Sequence, residues 1–400
     1  MFIMKKFLFL AALFLAGSFT CTYAIEEVEV KENPQENVTF IYINGSNTND
    51  EKSKDWFFDG TNKFHPYLKK TLEADPLTKE KMLKGQEINP EAAHVYWGEL
   101  SKAEIEFLME EINFLSLKSP KLAGFARKLI ATCLHDAIWV AKIPNMMPVI
   151  NMTHKKVMEE HKKGNKVVLL GYSAGSFVSY QYLLNKMPMV DLNELASIEN
   201  SAREEAYIKA ITEIAPKNTC VEAIFKANLV SYSLDNNVTV NPSIHAFRKN
   251  LESLDEYTDT YCTPPNTIVG VINYASPLVL FYSELSDPRY KLGEINSFMY
   301  KYFVENSLFW LTVNYSDDPL GFPTTQNVTF EQVEKIAGFP IKSNGGLFYD
   351  KSDRSSRRTF AAAHTSYWST GKRFARIVAE AYKEGYEYFY KKTEILREDL

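Results

Sequence analysis

The sequence predicts an α/β protein with a mainly parallel central sheet and helices on both of its faces. Three observations support this fold class: short strand-like segments alternate with longer helical ones, the strand-like segments are largely apolar, and turn residues separate them. A parallel strand is covered on both faces, which explains why a run such as Lys-Val-Val-Leu-Leu at 166–170 shows no polar alternation.

The other predicted elements follow from composition and period. Four further strands combine β-branched or aromatic residues with a following turn or polar segment, and they are 37–43, 93–97, 267–273 and 308–314. Helical spacing of apolar residues predicts helices at 66–75, 101–115, 120–142, 152–163, 174–186 and from about Gly371 onward. The stretch around Gly345-Gly346 is expected to be loop-rich, and the polar residues 188–264 are expected to form an insertion.

Bulk composition excludes some classes of protein. With 400 residues, of which 45% are hydrophobic, the chain can bury a large core and is not disordered. The formal net charge is −5, and no Lys/Arg run is long enough to follow a phosphate backbone. Nucleic acid is therefore not an expected partner.

The N-terminal residues 1–24 have the pattern of a secretory signal peptide. Lys5 and Lys6 precede an apolar stretch, residues 7–19, which is too short to span a bilayer comfortably, and small residues follow as far as Ala24. Because no later apolar run approaches membrane-spanning length, the mature chain is expected to be soluble and either secreted or periplasmic.

Two details qualify this prediction. Cys21 leaves a lipoprotein open as an alternative, although the preceding Ser-Phe-Thr fits poorly because a small residue normally stands directly before the acylated cysteine. Residues 25–36 are acidic and rich in turn formers, so they are expected to be a flexible lead-in to the folded domain.

Export implies an oxidising compartment, so the pairing of the remaining cysteines matters. Cys220 and Cys262 lie within the polar insertion and near its end, so a disulfide between them would close it. Cys133 belongs to a helical run and is expected to be a buried free thiol.

No Cys or His spacing typical of a metal site is present. His154 and His161 are two helical turns apart, and both are expected on a solvated helix face. Asp136 is likewise expected to be a surface or capping carboxylate.

The motif with the strongest chemical meaning is Gly-Tyr-Ser-Ala-Gly at 171–175, between a predicted buried strand and a predicted helix. Glycines are needed on both sides of such a sharp strand-to-helix turn because a side chain there would collide with neighbouring backbone. The turn exposes Ser173 at the carboxyl end of the strand, above the helix N-terminus. This context predicts a nucleophile elbow.

A serine hydroxyl is a weak nucleophile near neutral pH and needs a base within hydrogen-bond reach. His364 is the only histidine after His245, and it lies among small residues in Ala-Ala-Ala-His-Thr-Ser-Tyr-Trp at 361–368. It is the preferred base. His245 competes, but it lies inside the insertion and before the candidate acids.

Two adjacent carboxylates, Asp317 and Asp318, follow the strand at 308–314, where a carboxylate that orients the imidazole is expected. Asp318 is favoured because Asp-Pro-Leu-Gly places it directly before a rigid turn. The choice between the two remains open at this point.

Backbone N–H groups must stabilise the oxyanion that develops during attack on a carbonyl. One is expected from Ala174, directly after the nucleophile, and the second from Ser46 in the Asn-Gly-Ser loop at 44–46. The alternative for this loop is an ordinary Asn-Gly turn with no such role.

Taken together, these segments resemble the α/β-hydrolase superfamily, in particular its lipase/esterase-like members. The resemblance covers the loop at 44–46, the elbow at Ser173, Tyr-Ala-Ser-Pro at 274–277, Asp-Pro-Leu-Gly at 318–321 and the segment around His364. Many members carry His-Gly where this chain has Asn-Gly, which leaves the backbone role intact and makes a narrower assignment less secure. The resemblance implies a cap or lid at 188–264.

The resemblance implies an exported serine hydrolase that cleaves small-molecule or lipid carboxylic esters through an acyl-enzyme, with no metal or organic cofactor. Ser173 would be the nucleophile, His364 the base and Asp318 the orienting acid. Other readings remain: an amidase, peptidase or thioesterase on the same fold, or a catalytically silent envelope binding protein.

Overall fold

The structure of the protein is a computed structural model. It describes residues 36–46, 51–116, 135–187, 262–264, 266–281, 299, 302–303, 306–324, 347–355 and 360–398. The chain divides into two compact units, Met1–Gln35 and Glu36–Leu400, and every described residue belongs to the second. The predicted signal peptide, most of the lead-in, and the insertion up to residue 261 lie outside the described residues.

The described strands form one parallel sheet of seven strands. They are β1 (Asn37–Ile43), β2 (Glu87–Ile88), β3 (Ala93–Val95), β4 (Lys166–Tyr172), β5 (Ile268–Tyr274), β6 (Phe309–Tyr315) and β7 (Leu347–Asp353). Their order is β2-β1-β4-β5-β6-β7. Strand β3 also pairs with β1: β2 pairs with the first residues of β1, and β3 pairs with its last three. Each of these pairs is parallel.

The described α-helices number eight. They are α1 (Glu51–Ala74), α2 (Lys102–Ser116), α3 (His135–Ala141), α4 (Ile143–Lys162), α5 (Ala174–Lys186), α6 (Leu278–Phe281), α7 (Phe360–Thr365) and α8 (Gly371–Glu398). None of the described helices is both long enough and apolar enough to cross a membrane.

Helices cover both faces of the sheet. Successive residues of a strand point to opposite faces, and Phe309 of β6 contacts Tyr382 of α8 while its neighbour Trp310 contacts Tyr180 of α5. Both strand residues are buried. The predicted α/β class with a parallel sheet and helices on both sides is therefore confirmed.

The strand order creates a crevice at one place on the carboxyl edge of the sheet. From β1 the chain moves outward to β2 and β3, and it then returns to the other side of β1 to form β4. Connections that leave neighbouring strands in opposite directions open a crevice beyond their carboxyl ends, where ligands bind in open α/β sheets. Ile43 pairs with Gly171, so the loops that follow β1 and β4 begin side by side.

All five predicted strands are present within two residues of their expected ends, but the short β2 and the strand β7 are missing from the sequence prediction. Strand β7, which lies at the edge of the sheet among the described strands, falls in a stretch that was expected to be loop-rich. It carries Tyr349, Asp350, Lys351 and Ser352, and only its first two residues are buried. Charged and polar residues protect an exposed sheet edge from pairing with another chain, and they also remove the apolar signal on which strand prediction depends.

Two helices begin much earlier than predicted, and each contains an internal proline. Helix α1 begins at Glu51 and contains Pro66, where the helix was expected to start. Helix α4 begins at Ile143, nine residues before the predicted start, and contains Pro148. Tertiary packing outweighs the cost of an internal proline, since both helices bury one face against the sheet.

Two expectations about polar side chains were wrong. Asp136 is fully buried and accepts a hydrogen bond of 2.8 Å from the hydroxyl of Ser101. His154 is also buried, with Nδ1 3.2 Å from the hydroxyl of Tyr182. A buried polar group needs a partner, and each of these has one that sequence spacing does not reveal.

The described ends of the predicted insertion lie next to each other. The backbone N–H of Thr263 donates to the carbonyl of Lys186 at 2.7 Å, and the hydroxyls of Thr263 and Tyr182 are also 2.7 Å apart. Cys262 is disulfide-bonded. Cys220, its predicted partner, lies outside the described residues, as does Cys133.

Candidate active site

Ser173 occupies the sharp turn between β4 and α5. Its φ of 51° and ψ of −123° fall outside the regions that a side-chain-bearing residue prefers, so the surrounding structure must hold the turn in place. Part of that support comes from the neighbouring strand, because the backbone N–H of Ser173 donates to the carbonyl of Tyr274 at 3.0 Å. The Ser173 side chain does not cap α5, which leaves its hydroxyl directed elsewhere.

The predicted need for glycine around this serine is visible in the backbone contacts. A Cβ on Gly175 would collide with the carbonyl oxygen of Ile43 at the end of β1. A Cβ on Gly171 would lie 2.5 Å from Oδ1 of Asn273 and 2.7 Å from the carbonyl oxygen of Gly175. The elbow can therefore pack against β1 and β5 only without these side chains.

His364 lies in α7 with its ring against Ser173. Its Nε2 is 3.1 Å from Oγ of Ser173, and its side chain is 17% exposed. Tyr172 fixes the histidine from the other side, since its hydroxyl donates to the His364 carbonyl at 3.0 Å and the two rings are 5.5 Å apart. The competing base of the sequence prediction, His245, lies outside the described residues.

The structure places Asp318, not Asp317, against the imidazole. Nδ1 of His364 is 2.9 Å from Oδ1 of Asp318 and 3.1 Å from Oδ2, and the aspartate side chain is fully buried. Asp317 is half-buried and instead accepts hydrogen bonds from the backbone N–H and the hydroxyl of Ser355, at 2.7 and 2.5 Å. The two adjacent carboxylates thus have separate tasks.

An asparagine at the end of β6 secures the loop that carries Asp318. Oδ1 of Asn314 accepts the backbone N–H of Ser276 at 3.0 Å, and its Nδ2 donates to the Phe322 carbonyl at 2.9 Å. The backbone N–H of Phe322 also donates to the Ser276 carbonyl at 2.8 Å. The loops that follow β5 and β6 are therefore tied to each other.

The loop that follows β1 is secured in a similar way. Oδ1 of Asn44 accepts the backbone N–H of Trp97 at 2.9 Å, and the indole N–H of Trp97 donates to the Asn44 carbonyl at 2.8 Å. A Cβ on Gly45 would lie 2.7 Å from the Cβ of Ser173, so glycine permits this loop to touch the elbow. Ser46 and Ala174, the predicted sources of two N–H donors, consequently border the same cavity as Ser173.

That cavity has a volume of about 510 Å³, and most of the side chains that line it are apolar. They come from α3, α5, α6 and the loops that follow β5 and β6, namely Ala137, Ile138, Ala141, Phe177, Pro277, Leu280, Phe281 and Leu320. Phe177 and Phe281 stack on each other with their centroids 4.3 Å apart. Lys142 also borders the cavity, which we call the apolar pocket.

Sequence reasoning missed several residues that hold this site together. Tyr367 donates a hydrogen bond of 2.9 Å from its hydroxyl to Oδ2 of Asp318. Its position three residues after His364 is visible in the sequence, but its contact with a residue 49 positions away is not. Asn44 and Asn314 each follow or end a strand, a recurring pattern that could have marked them as loop-fixing residues.

Within the described ranges, no group of three or more His, Cys, Asp or Glu side chains is placed to hold a metal ion.

The fold and the site define a parallel α/β protein that presents a hydrogen-bonded Ser–His–Asp arrangement at the carboxyl edge of its sheet. Comparisons of the chain with protein-family models, with curated proteins and with solved structures find no match. The case for a function therefore depends on the chemistry of the site.

Proposed function

We propose that the protein is an exported serine hydrolase of the α/β-hydrolase type that cleaves carboxylic esters. The observation that supports this most strongly is the continuous chain of hydrogen bonds from Ser173 Oγ through the His364 ring to the Asp318 carboxylate. Protein scaffolding does not require a serine in a strained turn, a histidine within reach of its hydroxyl and a buried carboxylate behind the histidine.

The geometry assigns a role to each atom. With Nδ1–H donated to Asp318, the unprotonated Nε2 of His364 accepts the proton of Ser173 as Oγ attacks the ester carbonyl. Asp318 holds the tautomer and stabilises the imidazolium. His364 then returns the proton to the leaving alcohol, and water releases the acyl group by the same route.

The charge that develops on the carbonyl oxygen requires fixed N–H donors. In this proposal the backbone N–H groups of Ala174 and Ser46 supply them. The supporting observations are that Ala174 is the first residue of α5, where a helix presents free N–H groups, and that both residues border the pocket next to Ser173.

The apolar pocket favours an ester with a hydrocarbon acyl group. Burial of each methylene contributes about 0.8 kcal/mol, so a lining of aliphatic and phenyl groups binds an acyl chain progressively more tightly as its length increases. Ser173 follows β4, Asp318 follows β6, and His364 lies near the end of the chain. This order of Ser, Asp and His also agrees with this type of hydrolase.

The proposed lid at 188–264 must satisfy one constraint. Its described ends join the fold where α5 ends and β5 begins, at the opposite edge of the sheet from Ser173. Helix α5 has 13 residues, so a segment that starts there must extend about 20 Å to reach the pocket.

Export is proposed from the pattern of residues 1–24, and the disulfide at Cys262 agrees with an oxidising compartment. N-terminal sequencing of the protein recovered from an expressing cell tests this. Cleavage after Ala24 is expected, an acylated Cys21 would indicate the lipoprotein alternative, and an intact Met1 in the cytoplasm would contradict export.

A substrate series tests the proposed chemistry. Hydrolysis of p-nitrophenyl esters of increasing acyl length is compared with hydrolysis of matched thioesters and anilides, using wild-type protein and Ser173→Ala. We expect esters to be the best substrates and kcat to fall by roughly 10⁴- to 10⁶-fold in Ser173→Ala.

Ser179→Ala is the matched control, since Ser179 is also a buried serine of α5 but donates to Ser176 and Asn273. It should retain most of the activity. Undiminished hydrolysis by Ser173→Ala would contradict the proposal, and faster turnover of thioesters or anilides would replace the ester assignment.

A further inference from the structure

The hydroxyl of Tyr367 makes two hydrogen bonds deep in the protein, where the residue is only 1% exposed. It donates to Oδ2 of Asp318 at 2.9 Å and accepts the backbone N–H of Tyr315 at 2.8 Å. Both of its neighbours belong to the segment that ends β6 and carries the carboxylate. Tyr367 itself belongs to the segment that carries His364.

We propose that Tyr367 is a positioning residue that fixes the Asp318 carboxylate, and through it the imidazole, in the geometry that activates Ser173. This inference rests on the proposed serine-hydrolase function.

The hydrogen bonds around the carboxylate show why a second donor is needed. Oδ1 of Asp318 accepts the backbone N–H of Leu320 at 2.9 Å and lies 2.9 Å from Nδ1 of His364. Oδ2 lies 3.1 Å from the same Nδ1 and accepts the hydroxyl of Tyr367. Donors on both oxygens hold the carboxylate plane against rotation, whereas a donor on Oδ1 alone leaves Oδ2 free to turn away from the ring.

Tyr367 is itself held firmly enough to serve this role. Its ring stacks on Tyr315 with centroids 4.2 Å apart and an interplanar angle of 18°, and it meets Phe374 of α8 edge-on at 5.0 Å. Because the N–H of Tyr315 occupies one lone pair of the hydroxyl, the phenolic proton is directed to Asp318.

The phenol remains a neutral donor over the working pH range. Burial, followed by the nearby negative charge of Asp318, raises the pKa of Tyr367 well above its usual value. The other titratable groups that face Asp318 or His364 within the described part of the chain are Tyr172, whose hydroxyl donates to the His364 carbonyl, and the neighbouring Asp317, whose oxygens are engaged by Ser355.

The hydrogen bond has an electrostatic consequence that a purely structural role lacks. A donor on Oδ2 withdraws negative charge from the carboxylate, so Asp318 stabilises the protonated imidazole less than a carboxylate without that donor. Removal of the donor should make the imidazole easier to protonate and shift the acidic limb of the kcat/KM–pH profile to higher pH. A stronger donor should shift the limb to lower pH.

Three proteins test the inference by ester hydrolysis across pH 4–9: Tyr367→Phe, wild-type protein with 3-fluorotyrosine incorporated at position 367, and the control Tyr182→Phe. The fluorine makes the phenol a stronger donor with little change of shape. Tyr182 is a matched control because its buried hydroxyl also has two partners, Nδ1 of His154 and Oγ1 of Thr263, away from Ser173.

For Tyr367→Phe we expect kcat to fall by about 10- to 100-fold, the loss that corresponds to one hydrogen bond to a charged group, with little change in KM. Its acidic limb should move up, and that of the fluorotyrosine protein should move down. Tyr182→Phe should lose thermal stability and keep the wild-type profile.

An unchanged profile in both Tyr367 proteins, or the same loss of kcat in Tyr182→Phe, would overturn the inference. If Tyr367→Phe does not fold, the fluorotyrosine protein alone decides by the direction of its shift. The proposed function fails separately: in that case wild-type protein and Ser173→Ala hydrolyse the ester equally, whatever happens at position 367.

Discussion

Two unlike regions meet at Ser173. On one side lies an aromatic wall, which we define as Tyr172, Tyr315, Tyr367 and Trp368. All four side chains are buried, and each uses its polar atom in a hydrogen bond. On the other side lies the apolar pocket, where Ile138 and Leu280 are 50% and 46% exposed and the hydrocarbon side chains of the lining have no polar group to direct a contact.

The difference indicates a division of labour. Hydrogen bonds are directional, so the aromatic wall can hold His364 and Asp318 at fixed distances. Apolar contacts are proportional to buried area and have no required direction, so the pocket can accept acyl chains of different lengths. In this account the wall determines whether the reaction occurs, and the pocket determines which ester reacts.

The largest expected effect separates the two adjacent carboxylates at the edge of the wall. Asp318→Asn should lower kcat by about 10⁴-fold, because an amide cannot hold the productive imidazole tautomer in the same way. Asp317→Asn should change kcat little, since the Asp317 carboxylate accepts hydrogen bonds from Ser355, whereas Nδ1 of His364 lies against Asp318. Steady-state ester hydrolysis by the two variants, each confirmed as folded, measures this contrast.

Equal losses of kcat in the two variants, or a larger loss for Asp317→Asn, would show that the Asp318 carboxylate does not have the proposed role in catalysis.

A smaller effect concerns the aromatic layer behind the wall. The ring centroid of Phe57 is 5.7 Å from that of Trp368 and 5.6 Å from that of His94. Burial, with a lesser contribution from His65, lowers the pKa of His94 to about 4. The unfolded chain therefore binds the proton more readily than the folded one between pH 6.5 and 4. The stabilisation from neutral His94 is complete above pH 6.5 and is lost as the pH falls towards 4.

His94→Asn should remove this dependence. Between pH 7 and 4, wild-type protein should lose about 2–3 kcal/mol more free energy of unfolding than the variant, since each pKa unit corresponds to about 1.4 kcal/mol. Urea unfolding at several pH values measures the difference. Parallel stability curves for the two proteins would mean that the histidine is not held neutral by the aromatic layer.

The smallest expected effect tests the pocket. Ala137→Trp fills part of the lining of the apolar pocket and should lower kcat/KM for long acyl esters at least about tenfold relative to short ones, as expected if two or more methylenes lose their contacts. Ala103→Trp, on the exposed side of α2, should leave the chain-length preference unchanged. A chain-length profile of both variants checks this, and an unchanged preference in Ala137→Trp would place the acyl group elsewhere.

The parts of this molecule that could be predicted from sequence are those whose signal is local. The strand at β4, the two glycines and the serine of the elbow lie within ten consecutive residues, and the structure reproduces their arrangement. The early strand β1 was also located correctly, because its apolar run and the following Asn-Gly turn are adjacent in the chain.

The parts that could not be predicted depend on distant contacts or on conflicting local signals. The rigid turn at 318–321 favours Asp318 over Asp317 but leaves the choice open, because the positions of the two carboxylates also depend on where the chain places Ser355 and Tyr367. Strand β7 is held by pairing with β6 along its whole length, although its own residues are polar. The apolar pocket combines residues from several elements and has no linear motif.

If His364 and Asp318 activate Ser173 as proposed, the serine should be unusually reactive, and covalent labelling can show this. Wild-type protein, Ser173→Ala and His364→Ala are treated with a fluorophosphonate, and the modified peptide is identified by mass spectrometry. We expect one adduct, on Ser173, and labelling at least about 10³-fold slower in His364→Ala. A folded wild-type protein that does not react, or that reacts equally fast without His364, would contradict this expectation.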